Sequence, residues 1–372
     1  MKENTLIKTK LRGSLLGGAV GDALGYPVEF TNSYKGIQSH YGPEGITRYD
    51  IRLQWIPGHE GEAKALISDD TQMTLFTSCG LLNAYESQND PLSRIREAYL
   101  EWYFTQTEKK NNRLKSCWIS EHPELYARRA PGNTCMNALA DILSGREVHN
   151  HSKGCGGVMR IAPIALFGAV ESHKMDIRTV DALAADASKL THHHPLGYIP
   201  SALLAHVIYR LVQDEKPTRE TCRRYIREGL DYLTELFPDH PKEVAYLTLL
   251  AETAMDCADT TTTGADMPQE DAVIIETRLG YGWTAEETVA IAFYCTLKYF
   301  DDFEKAMIAA VNHAGDSDST GAVTGNLLGA AVGYESIPTY YIRDLELHDL
   351  MVHVADDLYL GRNTPDLKQD KE

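Results

Sequence analysis

Apolar residues recur along this chain at helical spacing. In "LRGSLLGGAVGDALG", Leu11, Leu15, Ala19 and Ala23 return every fourth position, with Leu16, Val20 and Leu24 in the adjacent row. Gly17, Gly18, Gly21 and Gly25 sit among them and lower helix propensity, so this helix is expected to pack closely against another backbone. "LSRIREAYLEWYF" lines up Leu92, Ile95, Tyr99 and Trp102, and the segments around "SALLAHVIYRLV", "CRRYIREGLDYLTELF" and "KEVAYLTLLAETAM" show the same period. "TAEETVAIAFYCTLKYF" predicts a helix opened by a Thr284-x-x-Glu287 capping box, with Val289, Phe293, Leu297 and Phe300 on one face. "DDFEKAMIAAVNHAG" predicts another, opened by Asp301-x-x-Glu304 and closed by Gly315.

Strand alternation is scarce, and breaks such as "ARRAPGNT", "HNHSKGCGG", "THHHPLGY" and "TTTGADMPQED" are short. The reading is one all-α domain over residues 1–372, with a polar extension at 1–10 and a disordered tail at 363–372. Thr31 to Ile67 lacks helical periodicity and is expected to form a long loop or flap.

Composition narrows the function. Of 372 residues, 43% are hydrophobic, enough for a large core, and the net charge of −17 argues against nucleic acid or anionic membrane as a partner. The opening "MKENTLIKTK" lacks the apolar run of a secretion signal, and no stretch approaches the roughly 20 apolar residues of a membrane span, so a soluble cytoplasmic protein is expected. Seven scattered cysteines without a Cys-x-x-Cys pair read as reduced packing residues rather than a zinc site.

Two acidic clusters stand out. "ISDDTQMTLF" places Ser68, Asp69 and Asp70 at one helix start, and "HAGDSDSTGAVTG" places Asp316, Asp318 and Ser319 at another. Each cluster alone reads as well as a solvated cap favoured by the helix dipole. Together they offer the carboxylate and hydroxyl oxygens that a hard divalent cation such as Mg²⁺ or Mn²⁺ takes, for one ion or two.

Other chemistry is less specific. Glu29, between Val28 and Phe30, has an apolar setting that suits a general base, though a solvated loop carboxylate is the plainer reading. Asp22 reads as a structural hydrogen-bonding residue. "SKGCGGVMR" carries Gly154, Gly156 and Gly157, whose backbone amides suit phosphate oxygens but match neither the Rossmann nor the Walker pattern. Arg160 reads as a phosphate partner or a structural ion pair, and Cys155 as a thiol nucleophile lacking an evident base. His192, His193 and His194 are consecutive, so they point about 100° apart and do not converge on one ion. One of them, His192 or His194, is expected to line a pocket, and His313 to pack at a helix end.

The blocks "GSLLGGAVGDALGYPVEF", "SDDTQMTL", "PGNTCMNAL", "SKGCGGVMRIAPIALF", "LTHHHPLGY", "GWTAEETVAIAFYC" and "NHAGDSDSTGAVTGNLLGAAVG" resemble, in the same order, those of the ADP-ribosylglycohydrolase family. The resemblance runs from about Leu11 to Pro338. It implies a single-domain orthogonal helical bundle with two Mg²⁺ (or Mn²⁺) ions held by Ser68, Asp69, Asp70, Asp316, Asp318 and Ser319. It places Glu29, Asp69, Asp70 and Asp318 in catalysis. It assigns substrate binding to Asn133, His192 and the loop Lys153, Gly154, Cys155, Gly156, Gly157, Val158 and Met159.

The implied reaction removes ADP-ribose from a modified protein side chain, arginine by default. Related readings are a hydrolase of a small ADP-ribose conjugate, and a protein that binds and neutralises an ADP-ribosyltransferase toxin. The chain departs from arginine-acting relatives in two places: Cys155-Gly156-Gly157 stands where they often have Gly-Asn-Gly, and Ala130 where some have Asp.

Overall fold

In the computed structural model, residues 2–54, 56, 58–108, 114–259 and 267–364 are described. The expected tail from 365 onward and most of the "TTTGADMPQED" break lie outside them. The fold is all-α, as the periodicity predicts. The first helices are α1 (Lys2–Gly25), α2 (Tyr34–Tyr41), α3 (Asp69–Ser87), α4 (Pro91–Thr107) and α5 (Asn133–Leu143). There follow α6 (Ala162–Gly168), α7 (Ile177–Lys189), α8 (Pro195–Gln213), α9 (Arg219–Leu236), α10 (Pro241–Ala258) and α11 (Met267–Ile274). The last are α12 (Ala285–Lys298), α13 (Phe303–Val311), α14 (Ser317–Val332), α15 (Thr339–Asp344) and α16 (His348–Leu360).

The centre is built from helices apolar almost all round. α8, α12 and α14 are buried along nearly their whole length and pack on one another. The most extensive pairing joins α1 to α14, antiparallel, through glycines spaced four apart. A Cβ on Gly13, Gly17 or Gly21 would lie 2.5, 2.4 or 2.0 Å from the carbonyl oxygen of Gly329, Gly325 or Gly321. The expected close backbone approach is therefore real, and its partner is the second acidic cluster's own helix. Residues Lys2–Lys10 form the first turns of α1, and Lys10 is buried, donating to the Leu211 and Asp214 carbonyls that end α8.

Three local expectations are corrected. The Thr31–Ile67 stretch is not a free loop: it holds α2, N-capped by Ser33, and a two-stranded antiparallel pairing of β1 (Arg52–Leu53) with β2 (Ala63–Lys64). It is pinned by the Asn312 side chain, which bonds both Ile46 N–H and C=O, and by a bridge from Ala65 to Leu345. Eight helical residues containing Gly36 are too few to show a period. The Thr284 box does not close, because Glu287 turns back to accept from Tyr281 N–H. α13 is capped by Asp302 rather than Asp301, and it ends at Val311, before Gly315. Gly315 (φ +124°) instead lies against the Tyr281 carbonyl, where a Cβ would come within 2.0 Å.

Candidate active site

Chain direction brings the two acidic clusters together. α1 runs antiparallel to α14, so the residue just past the C-terminus of α1, Glu29, meets the N-terminus of α14. The ligating oxygens of Glu29, Asp316 and Asp318 all lie within 4.8 Å of one another. α3 arrives beside them with Asp69 and Asp70 in its first turn, where the helix dipole favours negative charge.

Asp22 fixes that arrival. Its buried carboxylate accepts from Ser68 N–H (2.9 Å), Thr71 N–H (3.1 Å) and Thr71 Oγ1 (2.5 Å), satisfying orphan donors at the start of α3. This is the structural role its sequence position suggested. Ser68 caps α3 by accepting from Asp70 N–H, and its hydroxyl also bonds Asp318. Asp69 accepts from Gly132 N–H (3.1 Å) and donates its own N–H to Arg129 C=O (3.0 Å). On α14, Asp316 N–H donates to Tyr281 C=O (2.8 Å), tying the cluster to the Gly280–Thr284 loop.

The carboxylates front a cavity of about 620 Å³ lined by Glu29, Asp69, Asp70, Asp316, Asp318 and Ser319. Burial and mutual repulsion push the acids upward: Glu29 to about 10, chiefly by burial and then by Asp318 and Asp316, with Asp69, Asp70 and Asp316 well above the usual range. Asp70 Oδ2 and Glu29 Oε2 are buried and accept no hydrogen bond from the protein. Two orphaned carboxylate oxygens among close like charges are the signature of a place where cations complete the structure. The all-oxygen donor set fits hard divalent ions.

The other wall is the glycine loop. Cys155–Gly157 is a single 3₁₀ turn, held where Cys155 N–H reaches Trp283 C=O (3.2 Å) and Ala285 N–H reaches Lys153 C=O (2.9 Å). Gly154, Cys155, Gly156 and Met159 line the cavity, with His192 behind the glycines. A Cβ on Gly156 would meet the His192 ring at 3.2 Å. Burial and the nearby Arg160 push His192 down to about 3, so its ring is neutral, and Nδ1 pairs with Thr191 Oγ1 (2.9 Å). Asn133 lines the cavity at the start of α5, a helix that opens without a side-chain cap.

Other expected residues turn elsewhere. Lys153 pairs with buried Glu286, Val158 is buried in the core, and Gly157 packs on Gly197 and Ser188; none of the three lines the cavity. Arg160 is fully buried, lying over the Tyr99 ring (4.2 Å) and donating to Thr191 Oγ1 and Ala187 C=O, so it serves neither a phosphate nor an ion pair. His194 caps α8 and His193 N–H bonds Asn150, so the histidines diverge as expected. His313 is buried between Ala310 C=O and Thr320 Oγ1. Burial, and then Asp316, push the Cys155 thiol well above its usual value, which disfavours the free thiolate that a nucleophile needs.

Several lining residues are ones to which the sequence assigned no role. Phe30 and Trp283 stack across the mouth, centroids 6.0 Å apart and planes at 24°, both with substantial exposure. Arg128 is, among the described residues, the only lysine or arginine lining the cavity. Ala130 beside it adopts φ +52°, a left-handed conformation that costs a non-glycine residue roughly 1–2 kcal/mol. Trp283 lies inside the block "GWTAEETVAIAFYC" and Phe30 ends the block "GSLLGGAVGDALGYPVEF", but neither pattern shows that its ring faces the cavity, and nothing marks Arg128.

The sequence model of the ADP-ribosylglycohydrolase family matches residues 3–367. The chain belongs to this family. Among its curated relatives, the ADP-ribosyl-[dinitrogen reductase] glycohydrolase of Rhodospirillum rubrum is 26% identical, over 90% of each chain. The ADP-ribosylarginine hydrolase Tri1 of Serratia proteamaculans is 22% identical, over 94% of this chain and 79% of its own. A solved structure described as an ADP-ribosylglycohydrolase-related protein complex superposes with a TM-score of 0.63 at 24% identity, covering 98% of this chain and all of its own, and so shares the fold. As an ADP-ribosylglycohydrolase family member the chain is a hydrolase with an acidic group able to hold a metal ion. No described helix is long and apolar enough to cross a membrane.

Proposed function

We propose that this chain is a divalent-metal-dependent hydrolase that removes ADP-ribose from modified protein side chains, arginine first among them. The observation that carries the reading is the convergence of Glu29, Asp69, Asp70, Asp316 and Asp318 on one cavity wall, with Asp70 Oδ2 and Glu29 Oε2 left without protein partners. Asp69, Asp70, Asp316, Asp318, Ser68 and Ser319 would hold one or two Mg²⁺ or Mn²⁺ ions, and Glu29 reaches the same point. When bound, such ions orient ribose hydroxyls and lower the pKa of a water.

The rest falls to the chain's own groups. Glu29, which lines the cavity with one oxygen unpartnered, would be ionised once cations offset the neighbouring carboxylates that raise its pKa, and it then accepts the proton of the attacking water as the bond at the anomeric carbon breaks through an oxocarbenium-like state. The uncapped N-terminus of α5 and the amides of the glycine loop offer donors to the diphosphate. Arg128 supplies the one lysine or arginine side chain, among the described residues, in a wall that otherwise repels anions. Neutral His192 hydrogen-bonds a ribose, and Phe30 with Trp283 give flat faces for the adenine. Seven cysteines, none in a disulfide, suit action in the reducing cytoplasm.

The test is release of ADP-ribose from an arginine-ADP-ribosylated protein, with Mg²⁺ and with EDTA, beside Asp316→Ala. Release that needs the metal and is lost in the variant is expected; undiminished release in EDTA overturns the reading. Metal-dependent binding of ADP-ribose without release would shift the substrate to another linkage or to a small conjugate.

A further inference from the structure

One feature of the centre is foreign to an oxygen-only cage. Cys155 is the one cysteine of the seven that is partly exposed rather than buried, and it lines the cavity. Its Sγ lies 2.6 Å from Asp316 Oδ2 and also bonds the Ser319 hydroxyl. On the same cavity, Asp70, 3% exposed, keeps Oδ2 without a partner. The sulfur is therefore locked into the carboxylate set rather than merely near it. The 3₁₀ turn and the Cys155 N–H bond to Trp283 C=O hold it there.

We infer that Cys155 gives the centre a thiolate donor, so that it captures thiophilic divalent ions of the zinc, cobalt and cadmium class in competition with Mg²⁺. The inference rests on the metal-centre reading above. Two ligands of one tetrahedral ion, sulfur at about 2.3 Å and oxygen at about 2.0–2.2 Å, stand roughly 3.5 Å apart, a spacing that a small outward movement of this S–O pair provides. The hydrogen between Sγ and Asp316 Oδ2 occupies the place an ion would take. Exchange is balanced simply: the thiol loses its proton to solvent, the S–metal bond forms, and no electron moves. A metal-bound thiol is deprotonated outright, whatever burial does to it in the metal-free protein. Mg²⁺ has little affinity for sulfur and uses the carboxylates alone. The two classes of ion then share Asp316 and exclude one another.

The experiment is a Co²⁺ titration of the chelator-stripped full-length protein, followed by absorbance, in wild type, Cys155→Ser and Cys155→Ala. Expected are a thiolate-to-cobalt charge-transfer band in the near ultraviolet that both variants lack, and Zn²⁺ binding weaker in the variants by at least the order of 10-fold that losing even an outer-shell partner costs. Mg²⁺ affinity, read from the shift in unfolding temperature, should be the same in all three, which also shows the variants folded. Co²⁺ that binds and is displaced by Mg²⁺ without any such band overturns the inference and leaves the centre standing. A band that persists in Cys155→Ser overturns it too. Failure of Co²⁺ and Mg²⁺ to bind at all removes the centre itself.

Discussion

Gly21 of α1 and Gly321 of α14 touch backbone to backbone: a methyl group on Gly21 would lie 2.0 Å from the Gly321 carbonyl oxygen, and one on Gly321 2.5 Å from that of Gly21. One turn further along, Gly25 meets the Ser317 carbonyl in the same way, at 2.2 Å. At that end of the row stand Glu29 on one side and Asp316 and Asp318 on the other, the Asp318 backbone N itself within 2.6 Å of a methyl group on Gly25. Like charges do not gather unaided. Here the glycine contact forces helix ends to within a few ångströms, and the acids they carry are brought along.

Gly21→Ala should therefore lower stability, although alanine raises helix propensity by about 1 kcal/mol. Overpacking against a backbone carbonyl, which has no rotamer to change, costs about 1–3 kcal/mol or more and outweighs that gain. Urea unfolding should show a lower midpoint, and Mg²⁺ affinity should fall with it, because α1 moves Glu29 when it moves. A variant as stable as wild type would contradict the contact.

That glycine row was legible as a request for close packing, but not the identity of its partner, since the small residues of α14 read equally well as a buried helix of any kind. The convergence of Asp69, Asp70, Asp316 and Asp318 was legible only from the two clusters together, since either alone reads as an ordinary helix cap. The places of Arg128, Phe30 and Trp283 at the cavity were not legible. Arg128 and Trp283 stand on loops whose paths depend on positive-φ residues, Ala130 on one side and Gly280 and Gly282 on the other, and no local pattern tells where such a loop ends up. The Thr284 box misled because Glu287 had a nearer donor in Tyr281 N–H.

The metal-free protein should lose stability as pH rises. Asp22 is pushed from its ordinary value of 3.8 to about 7, first by burial and then by the charge of Asp318, and Asp69, Asp70 and Asp316 move the same way. A carboxyl whose folded pKa is raised favours the folded state below its unfolded pKa, and loses that contribution as pH climbs through the folded one. In EDTA the unfolding temperature should fall between about pH 4 and about pH 7, and saturating Mg²⁺ should flatten the decline. A rise with pH in EDTA would show that the acids are not held in a common buried field.

Arg128→Ala should weaken ADP-ribose binding while leaving adenosine binding unchanged. A hydrogen bond to a charged group is worth about 1.5–3 kcal/mol, or roughly 10- to 150-fold in affinity. No ion pair occupies Arg128 among the described residues, so its loss orphans no carboxylate. Arg128→Lys should recover part of the affinity as a point charge. Calorimetry at two salt concentrations checks this: the wild-type advantage should shrink in the higher salt, and equal losses for adenosine and ADP-ribose would assign Arg128 a packing role instead.

Trp283 separates positioning from recognition within a single residue. Its carbonyl accepts from Cys155 N–H and so helps to place the glycine loop, while its ring stacks on Phe30 at the cavity mouth. Trp283→Ala deletes the ring and keeps the carbonyl, so the metal centre should bind Mg²⁺ as before. Stacking of a base on an aromatic side chain is worth about 1–3 kcal/mol, which predicts a KM raised by roughly 5- to 150-fold with kcat little changed, the pattern of an interaction made equally in ground and transition states. Steady-state release of ADP-ribose across a range of substrate concentrations resolves the two parameters. A fall in kcat at unchanged KM would instead mean that the ring holds the Gly280–Thr284 loop, and through Tyr281 the Asp316 backbone, in its working position.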